Sequence, residues 1–305
     1  MTRAGFVAVI GAPNAGKSTL TNRLVGAKVS IVTQKVQTTR FPVRGVAIEG
    51  EAQIVLVDTP GIFQPRRRLD RAMVRAAWGG AEEADAIVHL VDAAAQLGDS
   101  GADRRAREDV DAIALGLKRH GKAAILALNK VDAVKREALL EVSKGLFETG
   151  VYTDVFMISA KTGSGLADLK RTLAARMPEA PWLYPEDQTA DLPARLMAAE
   201  ITREKLYLRL HEELPYAAAV ETTAFEDRKD GSLRLEQTIY VQRESQRPIV
   251  LGKAGQTLKW IGSKAREELA ELLGHPVHLF LHVEVDEHWA ERRERYAALG
   301  LDFDA

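Results

Sequence analysis

Residues 11–18 read Gly11-Ala12-Pro13-Asn14-Ala15-Gly16-Lys17-Ser18, and they follow an apolar run, Phe6 to Ile10, of the length of one buried strand. A glycine-rich turn between a strand and the start of a helix predicts a phosphate cradle. Its backbone N–H groups turn inward around the β- and γ-phosphates of a nucleotide, Gly11 and Gly16 permit the tight path, and the Lys17 ammonium neutralises phosphate charge. Ser18 opens the helix, where its hydroxyl can ligate Mg²⁺, and Thr19 completes the phosphate-binding set.

Val57-Asp58-Thr59-Pro60-Gly61 closes a second apolar run, Ile54 to Val57. An Asp leaving a strand next to the first can hold Mg²⁺ through water, and the Gly61 amide can meet the γ-phosphate and report its presence. Together the two segments predict binding of a nucleoside triphosphate with Mg²⁺.

Asn129-Lys130-Val131-Asp132 follows the apolar run Ala123 to Leu128 and decides the base. The Asp132 carboxylate can accept two hydrogen bonds from the N1–H and N2–H₂ edge of guanine. Adenine has an unprotonated N1 and would leave the carboxylate unpaired, a mismatch worth ~10⁴ or more in discrimination. The ligand expected is GTP, with GDP as product. Ser159-Ala160-Lys161, after the run Val155 to Ile158, would bring a backbone N–H to guanine O6.

Six apolar runs, with helix-length amphipathic stretches between most of them, extend to residue 177, the second and third joined as a hairpin by Glu49-Gly50-Glu51. The pattern predicts an α/β domain, a mostly parallel sheet covered on both faces, with all four motifs at the carboxyl ends of strands where such sheets bind ligands. Pro178, Pro181 and Pro185 mark an extended linker. The expected division is a GTP-binding domain over 1–177, a linker over 178–191 and a small α+β domain over 192–305. The last has the order helix (about Leu192 to Leu214), strand, Asp230-Gly231 turn, strand, helices, strand and a closing helix.

Within the small domain, Gly252-Lys253-Ala254-Gly255 separates two helical patterns and resembles the GXXG loop of a type II KH domain, which takes about four single-stranded nucleotides. From residue 191 onward the balance is 16 Lys or Arg against 21 Asp or Glu, unlike a polycation. Between Arg243 and Arg266, however, six basic residues (Arg243, Arg247, Lys253, Lys259, Lys264, Arg266) face one acidic, Glu244. That local patch has the sign RNA requires. Gly252, Lys253, Ala254, Gly255 and Lys259 are the RNA-binding candidates.

The ordered segments G-A-P-N-A-G-K-S, Q-T-T-R (Gln37-Thr38-Thr39-Arg40), D-T-P-G, N-K-V-D and S-A-K, followed by the GXXG segment, resemble the Ras-like, translation-factor-related GTPases and, more narrowly, the Era family. The resemblance covers essentially the whole chain. It implies a Ras-like P-loop GTPase domain joined to a type II KH domain, in which GTP with Mg²⁺ changes the grip on single-stranded RNA and hydrolysis releases it. It further implies that the RNA is the 3′ end of 16S rRNA rather than DNA and that the process is maturation of the 30S ribosomal subunit. Zero Cys and the lack of a span or signal pattern make a cytoplasmic location the default, with at most weak peripheral association with the inner face of the membrane; a monomer is expected, although no motif fixes the oligomeric state. Gln37 to Arg40 would be switch I, with Thr39, or alternatively Thr38, joining Mg²⁺ beside Ser18 and Asp58. Ile62 stands where Ras-like enzymes carry the water-orienting glutamine, so unaided hydrolysis should be slow. Asn14 resembles the asparagine that helps some relatives hold K⁺. Phe63 to Trp78 would be switch II, and its Arg66-Arg67-Arg68 triplet reads as solvated in preference to RNA-bound.

A different reading has the C-terminal domain docking a protein or membrane regulator. A third has GTP driving modification of RNA, as in a related GTPase with a C-terminal Cys, and the absence of any Cys in the 305 residues argues directly against it. No stretch approaches a membrane span or a signal peptide's pattern.

Overall fold

Val7 and Val9 turn to one side of β1 (Arg3–Ile10) and Ala8 and Ile10 to the other, and both sides are buried. A strand apolar on both faces must be covered twice, and the computed structural model, which describes residues 1–211 and 214–305, has that arrangement. With β2 (Val43–Glu49), β3 (Ala52–Asp58), β4 (Ala86–Asp92), β5 (Ala124–Asn129), β6 (Tyr152–Met157) and β7 (Ala190–Asp191), β1 forms a sheet of order β6-β5-β4-β1-β3-β2-β7. The strands β3, β1, β4, β5 and β6 run parallel, while β2 pairs antiparallel with β3 and β7 antiparallel with β2.

Five helices supply the covers. Leu20 and Leu24 of α1 (Lys17–Val25) and Leu169 and Leu173 of α6 (Leu166–Arg176) pack with Val7 and Val9 on one face. Ala77 of α2 (Arg68–Glu83), Ile113 and Leu117 of α4 (Gly101–Arg119) and Leu146 of α5 (Arg136–Phe147) pack with Ala8 and Ile10 on the other. A short α3 (Ala93–Leu97) follows β4. Asp58 and Asn129 are the last residues of β3 and β5, so the motifs do gather at the carboxyl edge.

The described residues group as two units, Met1–Asp191 with Tyr296–Ala305, and Leu192–Arg295. This modifies the expected linker over 178–191 in a physical way. The connector is extended, yet its backbone is tied down by Gln53, a fully buried amide on β3. Gln53 Oε1 accepts from the N–H groups of Leu183 (2.8 Å) and Tyr184 (3.0 Å), and its Nε2 donates to Tyr184 O at 2.8 Å. Val46 N–H donates to Thr189 O at 2.9 Å, and β7 extends the sheet.

The closing segment departs as well. The sequence assigns the closing helix to the small domain, and Trp289 packs there: it is buried, with its indole N–H donating to Ala217 O at 2.9 Å. From Tyr296 onward, past the middle of α10 (Arg293–Ala298), the chain belongs with the first unit instead. The Arg68 guanidinium lies 4.3 Å from the Phe303 ring centroid, Arg75 pairs with Asp302 at 3.0 Å, and Arg71 Nε donates to Ala305 O at 3.2 Å. Arg68 of the basic triplet is therefore stacked on an aromatic ring and is not simply solvated.

The second unit contains α7 (Ala194–Arg209), β8 (Ala218–Asp227), β9 (Leu233–Val241), α8 (Arg247–Leu251), α9 (Gln256–Leu273) and β10 (Val277–Val285). The helix expected as far as Leu214 ends at Arg209, and residues 212 and 213 lie outside the described residues. The strands stand in the order β10-β9-β8, with β8 antiparallel and β10 parallel to β9. Leu206 and Tyr207 of α7 and Ile261, Ala265 and Leu269 of α9 lie in the cores of this unit with Leu235 and Ile239 of β9. The Asp230-Gly231 hairpin forms: Asp230 Oδ1 accepts from Ser232 N–H at 3.0 Å, and Gly231 takes φ 78°. No helix among the described residues is long and apolar enough to cross a membrane.

Candidate functional site

The turn from β1 into α1 wraps Lys17. Its ammonium is buried and donates to Gly11 O (3.1 Å) and Ala12 O (2.9 Å), carbonyls of its own loop. Burial lowers its pKa to about 8, against the opposing pull of Asp58 and Asp109. A desolvated ammonium on a strained turn is a cation held ready for a polyanion. Gly16, at φ 101°, has no room for a side chain, because a Cβ there would sit 2.4 Å from Asn129 Nδ2.

Asp58, fully buried, is the second charge. Its Oδ2 accepts from Ser18 Oγ (2.7 Å) and Thr39 Oγ1 (3.4 Å), and the two hydroxyls are 2.8 Å apart. Desolvation raises its pKa, with Ser18 and Lys17 pulling the other way. Its Oδ1 is buried with no hydrogen-bond partner. Two hydroxyls and a carboxylate with an unmatched buried oxygen form a hard, all-oxygen donor set of the kind Mg²⁺ takes. Of the two threonines left open by the sequence, Thr39 is the one that meets Ser18 and Asp58. Thr38 Oγ1 is engaged away from this cluster, with Thr33 Oγ1 at 2.6 Å and Lys35 O at 2.7 Å.

Several residues of the expected phosphate set have other tasks. Thr59 is buried, its hydroxyl donating to Val9 O at 2.8 Å. Ile62 packs in the core beside Ala77, and its N–H donates to Gly11 O at 3.1 Å. Pro60 is buried, and Pro13 backs Gly61, where an added Cβ would lie 3.0 Å from the proline ring. Asn14 sits at φ 63° and donates from Nδ2 to Gln34 O at 3.1 Å, joining the phosphate loop to the switch segment. Gln37, also at positive φ, donates to Asp70 Oδ1 at 3.2 Å, which ties switch I to α2. Arg40 is buried.

At the base end, Asn129, expected at the guanine, also acts as a clip. Its Nδ2 donates to Ala15 O at 2.8 Å and its Oδ1 accepts from Ala160 N–H at 2.9 Å, so one buried amide fixes the phosphate loop against Ser159-Ala160-Lys161. Lys161 O accepts from Arg23 at 2.6 Å. Asp132 is exposed, and the Ser159 hydroxyl beside it, with Lys161 and Lys130 nearby, holds its carboxylate below the usual range. It is an ionised, accessible acceptor. Lys130 adopts left-handed backbone (φ 65°, ψ 32°), and its ammonium reaches Asp92 Oδ2 at 2.6 Å. Sequence reasoning passed over Asp92, whose signal is an acidic residue ending the strand between the first and fifth, V-D-A-A-A.

In the second unit, Gly252 to Gly255 forms the turn between α8 and α9. Gly252 (φ 74°, ψ 171°) is confined by Thr257, whose Oγ1 would lie 2.2 Å from an added Cβ. Ala254 takes φ 50° and Gly255 φ 75°. Lys253 and Ala254 are exposed, as are Arg243, Arg247, Lys259, Lys264 and Arg266, and Ile249 beside them is 57% exposed. An apolar side chain among cations on an open turn suits a base set against its sugar-phosphate chain.

Comparison with known proteins recognises both units. Residues 6–130 match the family described as 50S ribosome-binding GTPase, and residues 213–290 match the KH domain. The chain is 71% identical over 309 residues to GTPase Era of Caulobacter vibrioides, covering 99% of this chain and 98% of that one, and 62% identical to GTPase Era of Maricaulis maris over a similar span. Among solved structures, a variant of Aquifex aeolicus Era bound to GDP.AlF4- superposes with a TM-score of 0.89 at 38% identity, covering 98% of this chain and 99% of that chain. Era in complex with MgGDPNP and nucleotides 1506–1542 of 16S ribosomal RNA superposes at 0.88 and 39% identity, with the same coverage. Identity of this extent over the full length of both units means that the chain belongs to the Era family of GTPases.

Proposed function

We propose that this GTPase is a switch that grips the single-stranded 3′ end of 16S rRNA in its GTP state and assists maturation of the 30S subunit, acting as a cytoplasmic monomer. The observation that carries the switch is the meeting of Ser18, Thr39 and Asp58, since Thr39 belongs to the segment that must order when the γ-phosphate is present. In this reading Gly11 to Thr19 and Gly61 bind the phosphates, Ser18 and Thr39 hold Mg²⁺ directly and Asp58 holds it through water. Bound Mg²⁺ supplies charge neutralisation at the β- and γ-oxygens. Asp132 reads the guanine edge, the Ser159-Ala160-Lys161 segment supplies a backbone N–H to O6, the Ala160 N–H itself being taken by Asn129 Oδ1, and Lys130 and Lys161 flank the base.

Hydrolysis is slow unaided, because Ile62 is committed to the core and supplies no polar group to orient water. The resemblance of Asn14 to the asparagine of K⁺-dependent relatives is the ground for a K⁺ site at the phosphate loop in place of an arginine finger; here Asn14 Nδ2 donates to Gln34 O at 3.1 Å, so the amide would have to turn its Oδ1 to the ion. Equal rates in K⁺ and Na⁺ buffers would remove it.

RNA binding rests on the exposed turn Gly252 to Gly255 with Lys253 and Lys259. Aromatic anchoring in a membrane has little support, since Trp289 and Tyr296 are buried within the protein. The test is a pull-down of ribosomal subunits with a GTP analogue against GDP, followed by sequencing of the bound RNA, with the K253E/K259E variant as control. Enrichment of the 16S 3′ end under the analogue, lost in the variant, is expected. RNA recovery unchanged in the variant would favour a protein regulator as the partner of the second unit.

A further inference from the structure

Lys130 and Asp132 sit two residues apart, and an ammonium on a flexible four-methylene stem is the natural ion-pair partner of an exposed carboxylate beside it. Such a pair would occupy the two acceptor oxygens that guanine needs. The structure has Lys130 committed elsewhere. Asp92 Oδ1 caps α3, accepting from Ala94 N–H (3.0 Å) and Ala95 N–H (3.3 Å), which fixes the carboxylate and leaves Oδ2 to receive Lys130 Nζ at 2.6 Å. Asp92 pairs with Asn129 across the parallel ladder of β4 and β5, so the carboxylate is mounted directly beside the base-binding turn. Asp92 is only 19% exposed and Lys130 39%, a partly desolvated pair with one partner already immobilised.

We propose that Asp92 is a positioning residue for guanine selection: it draws the Lys130 ammonium to itself, so that the Asp132 carboxylate is not closed off by an ion pair with Lys130 and stays open to the N1–H and N2–H₂ edge, while the Lys130 stem is held extended as an apolar wall for the purine. The Asp132 carboxylate keeps the Ser159 hydroxyl beside it. The inference rests on the reading of Asp132 as the guanine-reading group. Pre-fixing the stem also spares the ordering cost that ligand binding would otherwise carry.

The test measures GDP and IDP affinity by calorimetry for the full-length protein and its D92N, K130M, D92N/K130M and D132N variants. Asn at 92 keeps an oxygen to cap α3 and loses the charge that holds Lys130. GDP affinity of D92N should fall by about five- to tenfold. The preference for GDP over IDP, which lacks the N2 amine, should narrow, because the released ammonium competes at Asp132. In the K130M background, where no ammonium remains to be diverted, D92N should add less than twofold. An equal loss from D92N with and without K130M would assign Asp92 to the α3 cap alone and overturn the proposal, as would a GDP affinity of D92N equal to that of the unaltered protein. D132N separates the two readings. If it binds GDP normally, the base-site reading fails, whereas an inert D92N beside a crippled D132N sinks only the role of Asp92.

Discussion

The hydroxyl of Thr39 lies 2.8 Å from that of Ser18, although the two residues are 21 positions apart and Thr39 belongs to no regular element. The same hydroxyl is 3.4 Å from Asp58 Oδ2, whereas Thr38 Oγ1 is bound to Thr33 and Lys35. T39A should therefore lower the Mg²⁺ affinity of the GTP complex and cut single-turnover hydrolysis by about a hundredfold, as expected for loss of one preorganised oxygen at a charge-stabilising site. T38A should cost less than threefold. A Mg²⁺ titration of hydrolysis in both variants checks the assignment, and a reversed ranking would place the ligand at Thr38.

Lys17 gives a pH dependence with a definite sign. Burial holds its pKa at about 8 in the nucleotide-free protein. A bound diphosphate beside the ammonium raises that value, so the complex binds the proton more tightly than the free protein, and affinity is lost as pH rises through the free pKa. GDP should bind about tenfold more weakly at pH 9 than at pH 7, with proton uptake on binding above pH 8. Calorimetry in two buffers of different ionisation enthalpy measures both quantities. K17R, which cannot deprotonate in this range, should show a flat profile at lower overall affinity.

The strands and the phosphate loop are legible because each rests on a local rule: β1, β3, β4 and β5 are apolar on both faces, and the loop is a glycine-rich turn spaced between a strand and a helix, with Gly11 and Gly16 at positive φ. What escaped the sequence are contacts between polar groups far apart along the chain. Gln53 reads as a surface residue in a strand, and only the folded sheet shows it buried, bonded to a connector 131 residues later. The placement of Tyr296–Ala305 depends on Arg68, Arg71 and Arg75, whose spacing looks like a solvated helix face until Phe303 and Asp302 are brought to it. Asp92 carries no motif, and the bonds by which it meets Lys130, and by which Asn129 joins two loops, exist only in the folded chain.

His89 is a buried group that no motif accounts for. Burial, with Lys17 adding repulsion, lowers its pKa to about 3, and its Nδ1 lies 2.8 Å from the buried Tyr152 hydroxyl. The unfolded chain, with an ordinary His near 6.5, takes up a proton that the folded one refuses, so stability is present above pH 6.5 and is lost as pH falls toward 3. The loss approaches ~1.4 kcal/mol per pH unit below about pH 6, or ~2 kcal/mol by pH 5. H89Q, neutral throughout, should be less stable at pH 7.5 but show a visibly shallower decline in urea midpoint between pH 6.5 and 4.5. An unchanged slope would mean that other groups dominate acid unfolding.

The two glycines of the turn between α8 and α9 answer to different constraints, which makes them separable by experiment. Gly252 combines φ 74° with ψ 171°, a region essentially reserved for glycine, and Thr257 Oγ1 leaves no space for a Cβ. G252A must distort either the turn or the first turn of α9, and should destabilise the second unit by about 3 kcal/mol while abolishing RNA binding. Gly255 has nothing within 4 Å of an added Cβ, and its left-handed φ of 75° is the kind that Ala254 already adopts next to it. G255A should cost only ~1 kcal/mol in thermal unfolding and retain a folded loop. A further comparison isolates the backbone's approach to RNA from stability. If G255A binds the 16S 3′-end oligonucleotide as tightly as the unaltered protein, the strand does not pass close over Gly255, and contact is carried by Gly252, Lys253 and Ala254. If affinity drops severalfold at temperatures where the variant is fully folded, the methyl group stands in the path of the sugar-phosphate chain.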